Sequence, residues 1–71
     1  MMEKYLDYST GRVLFISPGL SQDIWATYWR KPSGALKRVI SPALPLRRDR
    51  DQAQRDLDAY AAAKGWRKIE A

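Results

Sequence analysis

The stretch Lys31-Pro32-Ser33-Gly34 constrains the fold more than any other. Proline presets φ at about −65° for the second position of a type I turn, and a glycine two residues on accepts the left-handed conformation that closes a hairpin with a bulge. The flanking runs, 24–31 and 35–41, carry the β-branched and aromatic residues of strands. Alternation at period two puts Ile24, Ala26 and Tyr28 on one face and Trp25, Thr27 and Trp29 on the other. Pairing across the turn adds Leu36 and Ile40 to the first face, and Lys37 and Val39 to the second. The first face is the more apolar and is the expected core.

A first hairpin is expected from Tyr5-Leu6-Asp7-Tyr8 and Arg12-Val13-Leu14-Phe15-Ile16, joined through Ser9-Thr10-Gly11, where Gly11 can take a positive φ. Ser17-Pro18-Gly19-Leu20-Ser21 should end its second strand in a loop. Ser41-Pro42-Ala43-Leu44-Pro45-Leu46 holds two prolines, so an interior strand is ruled out; a connector crossing the sheet is expected, with Leu44 and Leu46 suited to a short edge segment. The helix begins at Asp49 or Asp51, because Asp49 with Gln52 and Asp51 with Gln54 both have capping-box spacing. Ala53, Leu57, Tyr60, Ala61 and Lys64 then fall on one side. Gly65 stops the helix, and Trp66 is placed to fold back over Ala61 or Tyr60. The tail 67–71 is expected to fray. The expectation is one α+β domain over 1–71, a small antiparallel sheet of three to four strands in two hairpins packed by one C-terminal helix. Its strands run over about 4–8, 12–17, 23–31 and 35–41, and its helix over about 50–64.

A chain of 71 residues has room for one core, since it buries only about 60% of the surface its unfolded form exposes. Its 45% hydrophobic content, with three Trp and four Tyr, is enough to fill that core without a metal. Cysteine and histidine are both absent, which removes disulfides, thiolate nucleophiles, Cys/His zinc sites and the commonest general base near neutral pH. Asp49, Asp51, Asp56 and Asp58 lie in or near the first turns of the helix, where acids cap amides and favour the positive end of the dipole. With no Gly-rich phosphate loop, nucleophile elbow or acidic metal loop, no catalysis, cofactor or metal is expected. No segment approaches the roughly 20 apolar residues of a membrane span, and Met1-Met2-Glu3-Lys4-Tyr5 lacks the apolar core of a signal peptide. The expected compartment is cytoplasmic, with no membrane partner.

The net charge of +5 is unevenly placed. Residues 30–50 hold Arg30, Lys31, Lys37, Arg38, Arg47, Arg48 and Arg50 against Asp49 alone, a net of +6, whereas residues 1–29 carry −1 and residues 51–71 sum to zero. Such a concentration suits an anionic partner. Trp25 and Trp29 on the same hairpin supply flat rings that stack on bases while the cations neutralise phosphates. The alternative is that both tryptophans are core and that the cations are a solvated rim that discourages edge-to-edge aggregation. Likewise, Arg47-Arg48-Asp49-Arg50 before free helical amides reads either as a phosphate site or as a solvated loop with local pairs to Asp49 and Asp51.

The order Trp25-Ala26-Thr27-Tyr28-Trp29-Arg30, then Pro32-Ser33-Gly34, then Lys37-Arg38, a short connector and a helix ending at Gly65 resembles the ββ(β)α arm-binding domains of phage integrases over roughly residues 23–65. The resemblance implies a sheet laid in the DNA major groove, a phage or prophage origin, and Trp29, Lys31, Lys37 and Arg38 as contacts. The chain departs from the family at Ser41–Leu46, where a third strand usually runs straight to the helix. With no recombinase domain attached, an isolated binding module is expected. The leading functional expectation is therefore nucleic-acid binding by Trp29, Arg30, Lys31, Lys37, Arg38, Arg47, Arg48 and Arg50. The runner-up is a protein-interaction or assembly module that meets an acidic protein surface through aromatic anchors.

Overall fold

The computed structural model describes residues 3–19 and 23–69; Met1, Met2, the Leu20–Gln22 part of the expected loop and the last two residues of the tail lie outside the described residues. Both turns form as their glycines require. Lys31 accepts from the Gly34 amide (2.8 Å) and donates to the Ala35 carbonyl (2.8 Å), and Gly34 sits at φ 93°, a type I turn closed by a left-handed glycine. In the first hairpin Gly11 (φ 74°) donates to the Asp7 carbonyl, and the Asp7 carboxylate accepts from the Ser9 amide, the Ser9 hydroxyl and the Thr10 hydroxyl. These bonds, that from the Ser9 side chain above all, hold the Asp7 carboxyl below the usual carboxylate range.

The elements follow as β1 (Lys4–Asp7), β2 (Arg12–Pro18), β3 (Trp25–Arg30), β4 (Leu36–Arg38), α1 (Arg50–Lys64) and β5 (Arg67–Ile69). They form one antiparallel five-stranded sheet in the order β4-β3-β2-β1-β5, with the helix across one face. The α+β architecture matches the sequence expectation, and the strand number is one above it. The additional strand is the tail. Gly65 takes the left-handed cap (φ 74°, ψ 24°), the Gly65 amide donates to Ala62 and the Trp66 amide to Ala61, and the reversed chain delivers Arg67–Ile69 alongside the free edge of β1. Trp66 meets Tyr60 edge to face at 5.4 Å. β2 also runs on through Pro18, which pairs with Trp25 at the strand end.

Asp49 is the N-cap, its carboxylate accepting from the Asp51 amide at 2.9 Å. Ala53, Leu57 and Ala61, spaced by four, form the buried stripe of α1 and pack on Tyr5, Leu14 and Ile16. The register places Leu14 opposite Tyr5 and Trp29, and Ile16 opposite Thr27, so the helix covers the Trp25, Thr27 and Trp29 face of β3. This reverses the expected core face, although the pairing across the turn puts Leu36 on the Tyr28 face and Lys37 on the Trp29 face, as expected. Alternation within β3 distinguishes two faces but cannot rank them. The choice belongs to Tyr5, Leu14 and Ile16 on the neighbouring strands, and to buried Thr27, small enough to admit the helix between the two tryptophans.

The connector does not simply cross the sheet. A turn at Ser41–Leu44 drives Leu44 fully into the core, leaves Leu46 exposed, and returns the chain to the edge of β3, where Trp25 and Arg47 exchange backbone bonds of 2.6 and 2.9 Å. A polar clamp closes the opposite side. The buried Tyr5 hydroxyl donates to Asp58 (2.6 Å), Gln54 donates to the same carboxylate, and Gln54 also accepts from the Glu3 amide. Burial first, and then the Asp58 carboxylate, push the Tyr5 hydroxyl far above the ordinary tyrosine range.

Candidate functional site

With the helix on one side, the other face of the sheet is left to solvent over part of its area. Register assigns to it Lys4 and Leu6 of β1, Val13 and Phe15 of β2, Tyr28 and Arg30 of β3, Leu36 and Arg38 of β4, and Arg67 of β5. Phe15 stands directly opposite Tyr28, and the Lys4 ammonium lies 5.8 Å from the centre of the Phe15 ring. Among the described strand residues this face carries four cations and no carboxylate. Asp7 shares the helix side with Arg12 by register, and Asp49, Asp51, Asp56 and Asp58 belong to the helix or its cap. These five acids and the open face thus lie on opposite sides of the sheet.

The two ends of this face differ. Near the start of β3, Gly19 donates to the Ile24 carbonyl and approaches the Tyr28 hydroxyl so closely that a Cβ at Gly19 would sit 2.8 Å from it. The chain at Gly19 closes that end, and Ala26 is buried there. At the other end both hairpin turns project, and between them lies a groove of about 650 Å³ bounded by Thr10 and Gly11 on one side and Lys31 and Pro32 on the other. Val13 and Phe15 line it together with Lys4, Arg12, Arg30 and Lys31. Beside it on the same face, Arg38 has its Nε shielded from solvent without a hydrogen-bond acceptor. A shielded donor left without an acceptor is unusual in a folded chain.

The residues expected from the sequence to act together are divided by the fold. Arg30 and Arg38 point to the open face and Lys31 sits at its rim, whereas Trp29 and Lys37 pair on the helix side. Trp29 is half-buried against the core, with the Arg12 guanidinium 4.0 Å over its ring. Arg47, Arg48 and Arg50 lie beyond the opposite end of β3, roughly 20 Å of strand away from the hairpin turn. Arg47 is committed there: its Nε and Nη2 bind the two oxygens of Asp56 at 2.7 and 3.3 Å, an ion pair that raises its pKa further. Arg50 makes only a long contact of 3.8 Å to Asp51, and Arg48 is exposed. The expected local pairing of this cluster is therefore met by Arg50 but bypassed by Arg47, which reaches two helical turns on.

Lys4, Phe15 and Arg67 were not among the expected contacts. Arg67 in particular lies outside the basic segment 30–50, and only the pairing of β5 with β1 brings it beside Leu6 on the open face. The alternation of Lys4, Leu6 and of Val13, Phe15 was the available signal for the other two. Among the described residues no helix is long and apolar enough to cross a membrane, and no cluster of acidic side chains is arranged to hold a metal ion. No protein family, curated protein or solved structure matches the chain.

Proposed function

We propose that this chain is a non-catalytic module that binds nucleic acid through the open face of its sheet. The observation that carries the reading is the segregation of charge: a groove lined by Lys4, Arg30 and Lys31, with Arg12 bordering it from the helix side, over an aromatic and aliphatic floor on a face that carries no carboxylate among the described strand residues. Phosphates meet cations at the rim while Phe15 offers a π-face and Val13 apolar contact below. A sheet with its helix on the far side is also the arrangement implied by the resemblance to integrase arm-binding domains, for which a phage or prophage setting is part of the proposal.

Fluorescence anisotropy against salt tests the reading. About four cations acting together give a log-log slope of about −4 on duplex DNA or about −3 on single strands. Arg30→Glu and Arg38→Glu are expected to reduce affinity strongly with the fold intact. Arg50→Glu, at the opposite end of β3, is expected to change it little. An absence of binding to mixed-sequence DNA and RNA at low salt, or equal losses from all three substitutions, overturns the proposal. A second reading, docking of an acidic protein surface, is favoured by Val13 and Leu36, large apolar side chains exposed on this same face. Binding that persists at high salt would select it.

A further inference from the structure

On the helix side, at the end of the sheet where the hairpins turn, lies a second cavity of about 240 Å³. Its walls are Trp29, Tyr60 and Trp66, and Leu14 contributes to its lining from the core. Two cations belong to it. Arg12 lies over the Trp29 ring at 4.0 Å and the Lys64 ammonium lies 5.5 Å from the Tyr60 ring centre, and neither forms an ion pair among the described residues. The carboxylate in the lining, Asp7, already accepts from Ser9 and Thr10 of its own turn. The nearby helix carbonyls of Ala61 and Ala62 are likewise taken by the Trp66 and Gly65 amides. The cavity thus offers aromatic faces and two cationic donors, beside one carboxylate that bonds within its own turn.

We propose that this cavity receives the base of one unpaired nucleotide from a strand whose backbone lies in the cationic groove, so that the preferred ligand is single-stranded. The inference rests on the nucleic-acid reading of that groove. Arg12 and Trp29 border both cavities, so the two share a wall at this end of the sheet. The volume, below the 300 to 1,000 Å³ or so of pockets for larger ligands, has room for one ring system. Stacking on Trp or Tyr favours any base, and Arg12 and Lys64 are placed to meet the adjoining phosphate. A base within a duplex reaches such a pocket only after unstacking and unpairing, which weakens duplex binding relative to a free strand.

The indole N–H signals of Trp25, Trp29 and Trp66 provide the test, because Trp25 sits at the far end of β3 beside Arg47 and serves as an internal control. The full chain is titrated with an eight-nucleotide single strand, its blunt duplex and thymidine monophosphate, with anisotropy of the two labelled oligonucleotides in parallel. The single strand is expected to shift Trp29 and Trp66, to leave Trp25 in place, and to bind about tenfold more tightly than the duplex. Trp66→Phe should retain binding, and Trp66→Leu should weaken the single strand by about tenfold. Lys64→Gln, at an exposed position, should weaken the single strand more than the duplex without altering circular dichroism. Tight strand binding without movement of the Trp66 signal, or equal affinity for the duplex, overturns the base pocket and leaves the groove reading standing. Saturation by the mononucleotide with no gain from the strand overturns the strand assignment. If neither oligonucleotide binds at low salt, the groove reading itself fails and this inference with it.

Discussion

Truncation of Leu57 to alanine probes the core most directly. Leu57 has no solvent exposure and sits at the middle of the helix stripe, between Ala53 and Ala61, in the cluster that contains Tyr5, Leu14 and Ile16. Leu57→Ala removes three carbons, about 2.4 kcal/mol of transfer free energy at about 0.8 per carbon. The sheet and helix collapse only partly around the vacancy. A residual cavity of about 50 Å³ adds roughly 1 kcal/mol, for a total of about 3 to 4. A chain of this length has about 4 to 10 kcal/mol in all. Urea unfolding followed by tryptophan fluorescence and circular dichroism reads the loss; with a slope of about 1 kcal/mol per molar, the midpoint should fall by about 3 M. Val13→Ser, on the other face, should cost less than about 1 kcal/mol. A midpoint that moves by less than about 1 M for Leu57→Ala, or by as much for Val13→Ser, would refute the placement of the helix on the Leu14 and Ile16 face.

Gly34→Val should destabilise the second hairpin by about 1 to 3 kcal/mol, and Ser33→Val by less, because a Cβ at Gly34 meets nothing within 4 Å and only the backbone at φ 93° is strained; equal urea midpoints for the two variants would contradict the turn. Tyr5→Phe removes the bond to Asp58 and should cost about 1.5 to 3 kcal/mol at neutral pH. Because the fold raises the Tyr5 pKa, the contribution is fully present below the ordinary value of about 10 and is lost as pH rises above it, where the unfolded chain releases a proton that the folded chain keeps. The urea midpoint of the parent chain should therefore fall more steeply above pH 10 than that of Tyr5→Phe, and parallel pH profiles would remove the assignment.

In the candidate site, Arg30, Lys31 and Arg38 were legible as members of a basic hairpin, and the structure keeps them at one face and rim. Trp29 and Lys37 come from the same hairpin but sit on the helix side, because adjacent residues of a strand point in opposite directions. Arg47 looked like its neighbours Arg48 and Arg50 in the sequence. Its bond to Asp56 depends on the connector having been pinned to Trp25, a contact that no local pattern encodes.

By itself the sequence determined what is settled within a few residues: the two turns at Gly11 and Gly34, a helix capped at Asp49 or Asp51, the Gly65 stop, the span of the helix, and the alternation of each strand. These rest on φ/ψ preferences and hydrogen bonds between near neighbours, which the chain carries wherever it is placed. The tertiary structure alone decided which face of β3 is core, that Arg67–Ile69 joins the edge of β1, that Leu44 plugs the core, and that Arg67 and Lys4 share a surface with Arg30 and Arg38. Each of those outcomes depends on register between strands far apart in sequence. A shift by one residue exchanges the faces while leaving every local preference satisfied, so only the packing of Tyr5, Leu14 and Ile16 under Leu57 selects among the alternatives.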